Sequence, residues 1–266
     1  MRKVIHYCWF GGKPLSDTAE KSLASWKRFA PGFELRQWNE DNFDFEACEW
    51  SRDAYAAKMW AFVADYARFK VLHEYGGIYM DVGSELIRDI TPLLGSVPFT
   101  AIEESSLTAT TGLIVAVEPH DPIIGACVAR YESMQFSIDP VFLDKTTVNE
   151  VFTAELETIG FRREDKEQFF GGWRVMDSRA FNPVYGFGGY HIKPCTYSIH
   201  RSSGSWVETK YRIKRSVVRK CSPFIGRRPA QILGRVLMEV SDGGLIEGSK
   251  RILGVAREKV AKGRED

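Results

Sequence analysis

The chain has 266 residues, 44% of them hydrophobic and 13% aromatic, with 36 Lys and Arg against 35 Asp and Glu. That composition supports one large domain, or one domain with an appendage, and no apolar run approaches the roughly 20 residues that span a bilayer. Five widely spaced cysteines without a C-x-x-C pair argue against a disulfide framework or a zinc site.

The near-neutral total hides an asymmetry. Residues 1–206 carry 21 basic and 28 acidic side chains, and residues 207–266 carry 15 and 7. Two regions follow: an α/β body over 1–206 and a basic helical tail over 207–266, of the kind that meets an anionic surface. Met1–His6 lacks the apolar stretch of about 7–15 residues of a secretory signal. The expectation is therefore a cytoplasmic protein, with the tail as a peripheral contact to the inner face of the membrane.

In chain order, 3–9 reads as a first strand, followed by the turn Gly11-Gly12-Lys13-Pro14. Asp17 and Glu20 suggest a capping box for a helix through Phe29. Pro31-Gly32 stops that helix, and 33–38 reads as a second strand. The most informative stretch is Trp60–Asp81. It reads as a long helix carrying Asp65 and Arg68 three apart on one side. Gly76-Gly77 then ends the helix in a conformation open to glycine, and the short β-prone run Ile78-Tyr79-Met80 finishes at Asp81. In open α/β sheets, ligands bind outside the carboxyl ends of such strands. Further strands are expected at 100–102 and 113–117 and helices at 122–136 and 146–159. The Gly- and aromatic-rich region 169–206 is expected to give loops and short strands over the sheet edge. The βαβ rhythm predicts a mostly parallel central sheet.

In the tail, Ile232, Leu233, Val236, Leu237 and Val240 share one helical face. Arg212, Arg215, Arg219 and Lys220 stand mostly opposite Ile213, Val217 and Val218. Such helices either lie on anionic lipid or pack on the body. Few aromatics and no recognised motif speak against nucleic acid as a partner.

Four segments together resemble a known family: Ile5–Gly12, Trp38–Phe43, Trp60–Asp81, and Thr196–His200 with Gly204-Ser205-Trp206. In this order they resemble the bacterial capsular-polysaccharide glycosyltransferases with a DXD-bearing sugar-binding region (glycosyltransferase family 32). That family is related to the glucosyltransferase domain of the large clostridial toxins. The resemblance covers roughly residues 1–206. It implies a GT-A fold, a nucleotide-binding α/β sandwich, and transfer of a sugar from a nucleotide-sugar donor, with UDP weighted by the family, to a glycan or lipid-linked acceptor with retention. It implies that Trp9 stacks on the nucleobase, that Asp65 and Arg68 grip the donor sugar and its phosphate, and that Asp81 is the first acid of the DXD motif. It further implies that His200, Ser205 and Trp206 belong to a loop closing over the diphosphate, so that Asp81, Arg68 and His200 are the catalytic candidates.

Taken singly, the same residues have plainer readings. Asp65 and Arg68 also fit a surface ion pair, Trp9 a core position, Asp81 a turn cap and His200 a structural histidine. The chain departs from the family at Asp81-Val82-Gly83, where glycine replaces the second acid. The resemblance implies a divalent ion, Mn²⁺ or Mg²⁺, and the remaining ligand candidates are Asp81, Glu85 and His200. Arg201, which replaces a second histidine, is an alternative bearer of positive charge. Gly83 also motivates a second function, a non-catalytic scaffold that binds sugar nucleotide or glycan in a polysaccharide assembly complex.

Overall fold

The computed structural model describes residues 1–95, 97–137, 147–183 and 191–201, together with Val217, Cys221, Leu233, Gly234, Val236 and Leu237, which are helical. Met1–Pro183 with Ile192–Ser202 form one compact unit, and Val184–His191 with Ser203–Asp266 form a second. All elements named below belong to the first. The expected boundary at residue 206 and most of the tail helices lie outside the described residues.

A first strand, β1 (Val4–Cys8), leads into helix α1 (Asp17–Phe29). The helix is capped by Ser16, whose hydroxyl accepts from Ala19 N at 3.2 Å. The expected capping box is thus replaced by a serine cap one residue earlier. Asp17 and Glu20 remain in the first turn and Lys27 and Arg28 in the last, where each sign suits the helix dipole. Strand β2 (Glu34–Trp38) follows, then α2 (Glu49–Ala56) and the sixteen-residue α3 (Trp60–Tyr75).

Nine residues of α3 are buried, on all sides of the helix, so it is a core helix and its charged residues are buried with it. Gly76 takes φ 61° with its N–H on Leu72 O, and Gly77 takes φ 95° against Val4. Only glycine turns the chain there and lets β3 (Gly77–Tyr79) lie beside β1. The chain continues through β4 (Ser84–Leu86), β5 (Phe99–Glu103), β6 (Thr108–Ala109), β7 (Val115–Val117), α4 (Pro122–Ser133) and α5 (Val148–Glu157). It then forms β8 (Gln168–Phe170), β9 (Trp173–Met176), α6 (Ser178–Phe181) and β10 (Ser198–His200).

The main sheet runs β2-β1-β3-β7-β5-β9-β8, with β6 on β5. Strands β2, β1, β3, β5 and β9 point one way, while β7 and β8 oppose them, so the sheet is mostly parallel with one reversed strand inside. Strand β9 is one of the short strands expected in 169–206; it pairs with β5, one strand in from the edge, and its Val175 is fully buried. Alternating side chains divide the core into two layers. Cys8, Tyr79, Val115, Val117 and Val175 face α2–α5. Ile5, Tyr7, Ile78, Met80, Phe99 and Ala116 face α1, α6 and a small β4–β10 ribbon. The result is a three-layer α/β sandwich. Its parallel strands β1, β2 and β3 release Trp9, Asn39 and Asp81 along one edge of the sheet.

Candidate functional site

At that edge, α3 and β3 bring together the three charged residues singled out in the sequence. Arg68 donates from Nη2 to Asp65 Oδ1 at 2.8 Å, and its Nη1 lies 3.5 Å from Asp81 Oδ1. Its Nη1 also donates to Thr111 Oγ1 at 2.9 Å, and its guanidinium lies over the Tyr79 ring. Tyr79 in turn donates to Asp81 Oδ1 at 3.1 Å. The Asp65 and Arg68 side chains are 11% and 6% exposed, whereas Asp81 is 35% exposed. The surface ion-pair reading is therefore set aside: this is a buried cluster with one carboxylate presented outward.

Burial pushes the Asp65 carboxyl up to about 7, with Arg68 pulling it down and Asp81 pushing it up. Burial opposes the charge on Arg68, but Asp81, Tyr79 and Asp65 outweigh it and hold the guanidinium protonated. The Cys8 thiol, packed beside them, is pushed up to about 12 by burial and stays neutral. One buried cation thus stands between two carboxylates, with each of its three nitrogens donating one hydrogen bond.

A turn that sequence reading missed holds this cluster in place. Gly112 O accepts from Asp81 N at 3.0 Å and from Ser84 Oγ at 2.8 Å. A β-carbon on Gly112 would stand 2.1 Å from Asp81 Oδ2, so only glycine lets the carboxylate sit there. Asn149 Oδ1, in the first turn of α5, accepts from Thr111 N at 3.2 Å. Nothing in the local sequence around Thr111, Gly112 or Asn149 marks this role; their link to Arg68 and Asp81 is entirely tertiary.

Trp9 stands at a different part of the same edge. It is half-buried, its Nε1 donates to Lys13 O at 2.7 Å, and it lines an open groove of about 530 Å³. Asn39, Glu40, Asp41, Tyr55 and Trp60 line the same groove. Glu40 is oriented by Gly11 N, which donates to its Oε1 at 2.6 Å. Trp9 is thus at a rim rather than in the core.

His200 ends β10 opposite Ser84, and its backbone N donates to Asn182 Oδ1 at 3.2 Å. Its imidazole lies against Gly83, where an added β-carbon would come within 3.1 Å of Nε2. Arg201 N donates to Gly83 O at 2.7 Å, and Arg201 Nε reaches Glu85 Oε2 at 2.5 Å. Ser205 and Trp206 lie outside the described residues.

A divalent ion needs several oxygen or nitrogen donors aimed at one point. Among the described residues, no three His, Cys, Asp or Glu side chains are so grouped. Asp81, Glu85 and His200 are not assembled as a ligand set. Strand alternation puts Glu85 on the opposite face from the Ser84–His200 pair, and its carboxylate is engaged by Arg201. Asp81 Oδ1 already serves Tyr79 and Arg68. Among the described residues, no set of side chains fits a resident divalent ion.

Residues 16–100 match the model of a family described as the glycosyltransferase sugar-binding region containing a DXD motif. No curated protein matches the chain. Among solved structures, the chain is similar to the PaToxG glycosyltransferase at 17% identity, with 59% of this chain and 68% of that one covered and a TM-score of 0.45. It is also similar to a glycosyltransferase involved in glycosylation of the major capsid of PBCV-1, at 12% identity over 76% and 94% of the chains, with a TM-score of 0.43. A third similar structure is the galactosyltransferase LgtC in complex with donor and acceptor sugar analogs. It is 15% identical over 87% and 95% of the chains, with a TM-score of 0.40. The family match spans α1 through the start of β5 and includes Asp65, Arg68 and Asp81, and it supports a transferase enzyme built around that segment.

Proposed function

We propose that the chain is a glycosyltransferase that moves a sugar from a nucleotide-sugar donor, a UDP-sugar by family weight, to a glycan or lipid-linked precursor of a surface polysaccharide. The observation that carries this is the Asp65–Arg68–Asp81 cluster at the carboxyl end of β3, inside the segment matched by the sugar-binding region. In the transfer, the anomeric C–O bond to the diphosphate breaks and its electron pair leaves with the phosphate oxygen. An acceptor hydroxyl oxygen forms the new C–O bond and gives up its proton, in a retaining reaction to the departing phosphate oxygen. The sugar passes through an oxocarbenium-like state, so the site must orient the sugar and receive negative charge on the diphosphate.

The chain's own residues divide those tasks. Asp81, half-buried and fixed by Tyr79, Arg68 and Gly112, accepts hydrogen bonds from ribose or sugar hydroxyls. Asp65 and Arg68 form the wall against which the donor sugar lies. Trp9 at the groove rim offers a face for the base, and His200 approaches the diphosphate from β10. The basic tail is proposed to hold the enzyme peripherally on the inner, anionic face of the membrane, where lipid-linked acceptors reside.

Hydrolysis or transfer across a panel of nucleotide sugars tests this reading. Turnover of one donor that Asp81→Ala reduces at least about 100-fold, equal to ~2.7 kcal/mol, supports it. A scaffold is the second reading, favoured by Gly83. Donor binding without turnover in the presence of candidate acceptors would establish that one instead.

A further inference from the structure

We propose that this chain binds the diphosphate of its nucleotide ligand with the Arg201 guanidinium at the Gly83 turn, in place of a divalent ion. The inference rests on the nucleotide-sugar reading above and deepens it. Three observations converge on the turn that follows Asp81. The position two residues after Asp81 has no side chain, and the space its β-carbon would enter faces the His200 imidazole at 3.1 Å. The Gly83 carbonyl is held by Arg201 N at 2.7 Å, so the backbone of this turn is locked to the segment carrying the arginine. Glu85, the next acid along, is committed to Arg201 Nε at 2.5 Å and stands on the other strand face from His200.

The electrostatics follow from that layout. By the resemblance, position 83 is where a second, ion-binding carboxylate would stand; here it is glycine, and the Arg201 guanidinium is bonded to Glu85 beside the turn. The Arg201 side chain is 49% exposed, and its guanidinium is oriented through Nε by Glu85. A planar guanidinium binds paired phosphate oxygens directly, and it costs the site no separate cation. Asp81 then serves hydroxyl groups rather than metal, in keeping with its Oδ1 being shared by Tyr79 and Arg68.

Calorimetric titration of the full chain with UDP, GDP, ADP, CDP and TDP, once in EDTA and once in MnCl₂, decides the matter. The expected result is one nucleoside diphosphate bound with dissociation constants that agree within about threefold in the two buffers. Tightening by tenfold or more in Mn²⁺, about 1.4 kcal/mol, would overturn the inference and leave the glycosyltransferase reading standing. Absence of binding by all five in both buffers would take down both.

Two variants supply readouts that a purely structural role would not move. Arg201→Gln is expected to weaken diphosphate binding about tenfold in EDTA while leaving binding of the free nucleoside unchanged. Equal loss of both ligands would count against the proposal. Glu85→Gln is expected to keep or tighten diphosphate binding, since it releases Arg201; a Glu85 that ligates an ion would instead lose it. Gly83→Asp should create a Mn²⁺ response absent from the parent, seen as broadening of the Mn²⁺ electron paramagnetic resonance signal. The same signal in the parent would refute the idea.

Discussion

Both ring nitrogens of His6 have defined partners: Nε2 reaches Gly76 O at 2.9 Å, and Nδ1 accepts from Trp38 Nε1 at 3.0 Å. That arrangement requires the neutral ring with its proton on Nε2. Burial lowers its pKa to about 4, against the upward pull of the Gly76 carbonyl. The sign follows directly. Between pH 6.5 and about 4 the unfolded chain takes up a proton that the folded ring refuses, so the stability His6 contributes is fully present above pH 6.5 and falls as pH drops through that window, opposed there by Asp65, whose raised pKa favours the folded state as it protonates. The loss is on the order of 3 kcal/mol at about 1.36 kcal/mol per unit, and His6→Gln should flatten that part of a denaturation-versus-pH curve. At the site, Gly112→Ala is expected to displace the Asp81 carboxylate and cut donor turnover by about 100-fold, ~2.7 kcal/mol, with the melting temperature little changed. Unaltered turnover would remove Gly112 from the account. Asp65, Arg68 and Asp81 were legible because a helical spacing and a strand end are local signals. Thr111 was not, because it meets Arg68 across 43 residues of chain, and only the folded sheet brings them together.

At the scale of elements, the end of α3 fixes the site's position. A β-carbon at Gly77 would stand 2.5 Å from Val4 Cγ1, and the residue sits at φ 95°. Gly77→Ala is therefore strained in backbone and in packing at once, and should cost about 2–3 kcal/mol, read as a lowered denaturant midpoint. The strands and helices with clear periods were readable to within a few residues. Helix α2 was not, since it has eight residues and Cys48 at its start offers no side-chain cap. Strands β4 and β10 are three residues each and pair with each other, too short for alternation to register. Strand β9 fell in a stretch expected to mix loops and short strands, where Gly171-Gly172 and aromatic neighbours left its bounds unmarked.

Across the whole molecule, composition separated the acidic body from the basic tail, and it is charge that gives the tail a testable role. Changing Arg212, Arg215, Arg219 and Lys220 together to Gln should weaken binding to phosphatidylserine vesicles, by ~1 kcal/mol per charge at most, with donor hydrolysis retained. Vesicle binding that ignores both this change and added salt would assign the tail to packing. The alternating βαβ rhythm made the α/β class readable, but not the reversal of β7, because strand direction is set by partners rather than by local pattern.

That reversed strand has a dynamic consequence. Tyr79 pairs with Val115 and Gly77 with Val117, while Gly112, three residues before β7, holds the amide of Asp81. The carboxylate and β7 are therefore parts of one opening unit, and its amides should exchange with solvent hydrogen together. A ligand that engages Asp81 is expected to slow deuterium uptake at Val115, Ala116 and Val117, none of which is exposed enough to touch it. Binding would thus be recorded in the middle of the sheet, by strands the ligand never reaches.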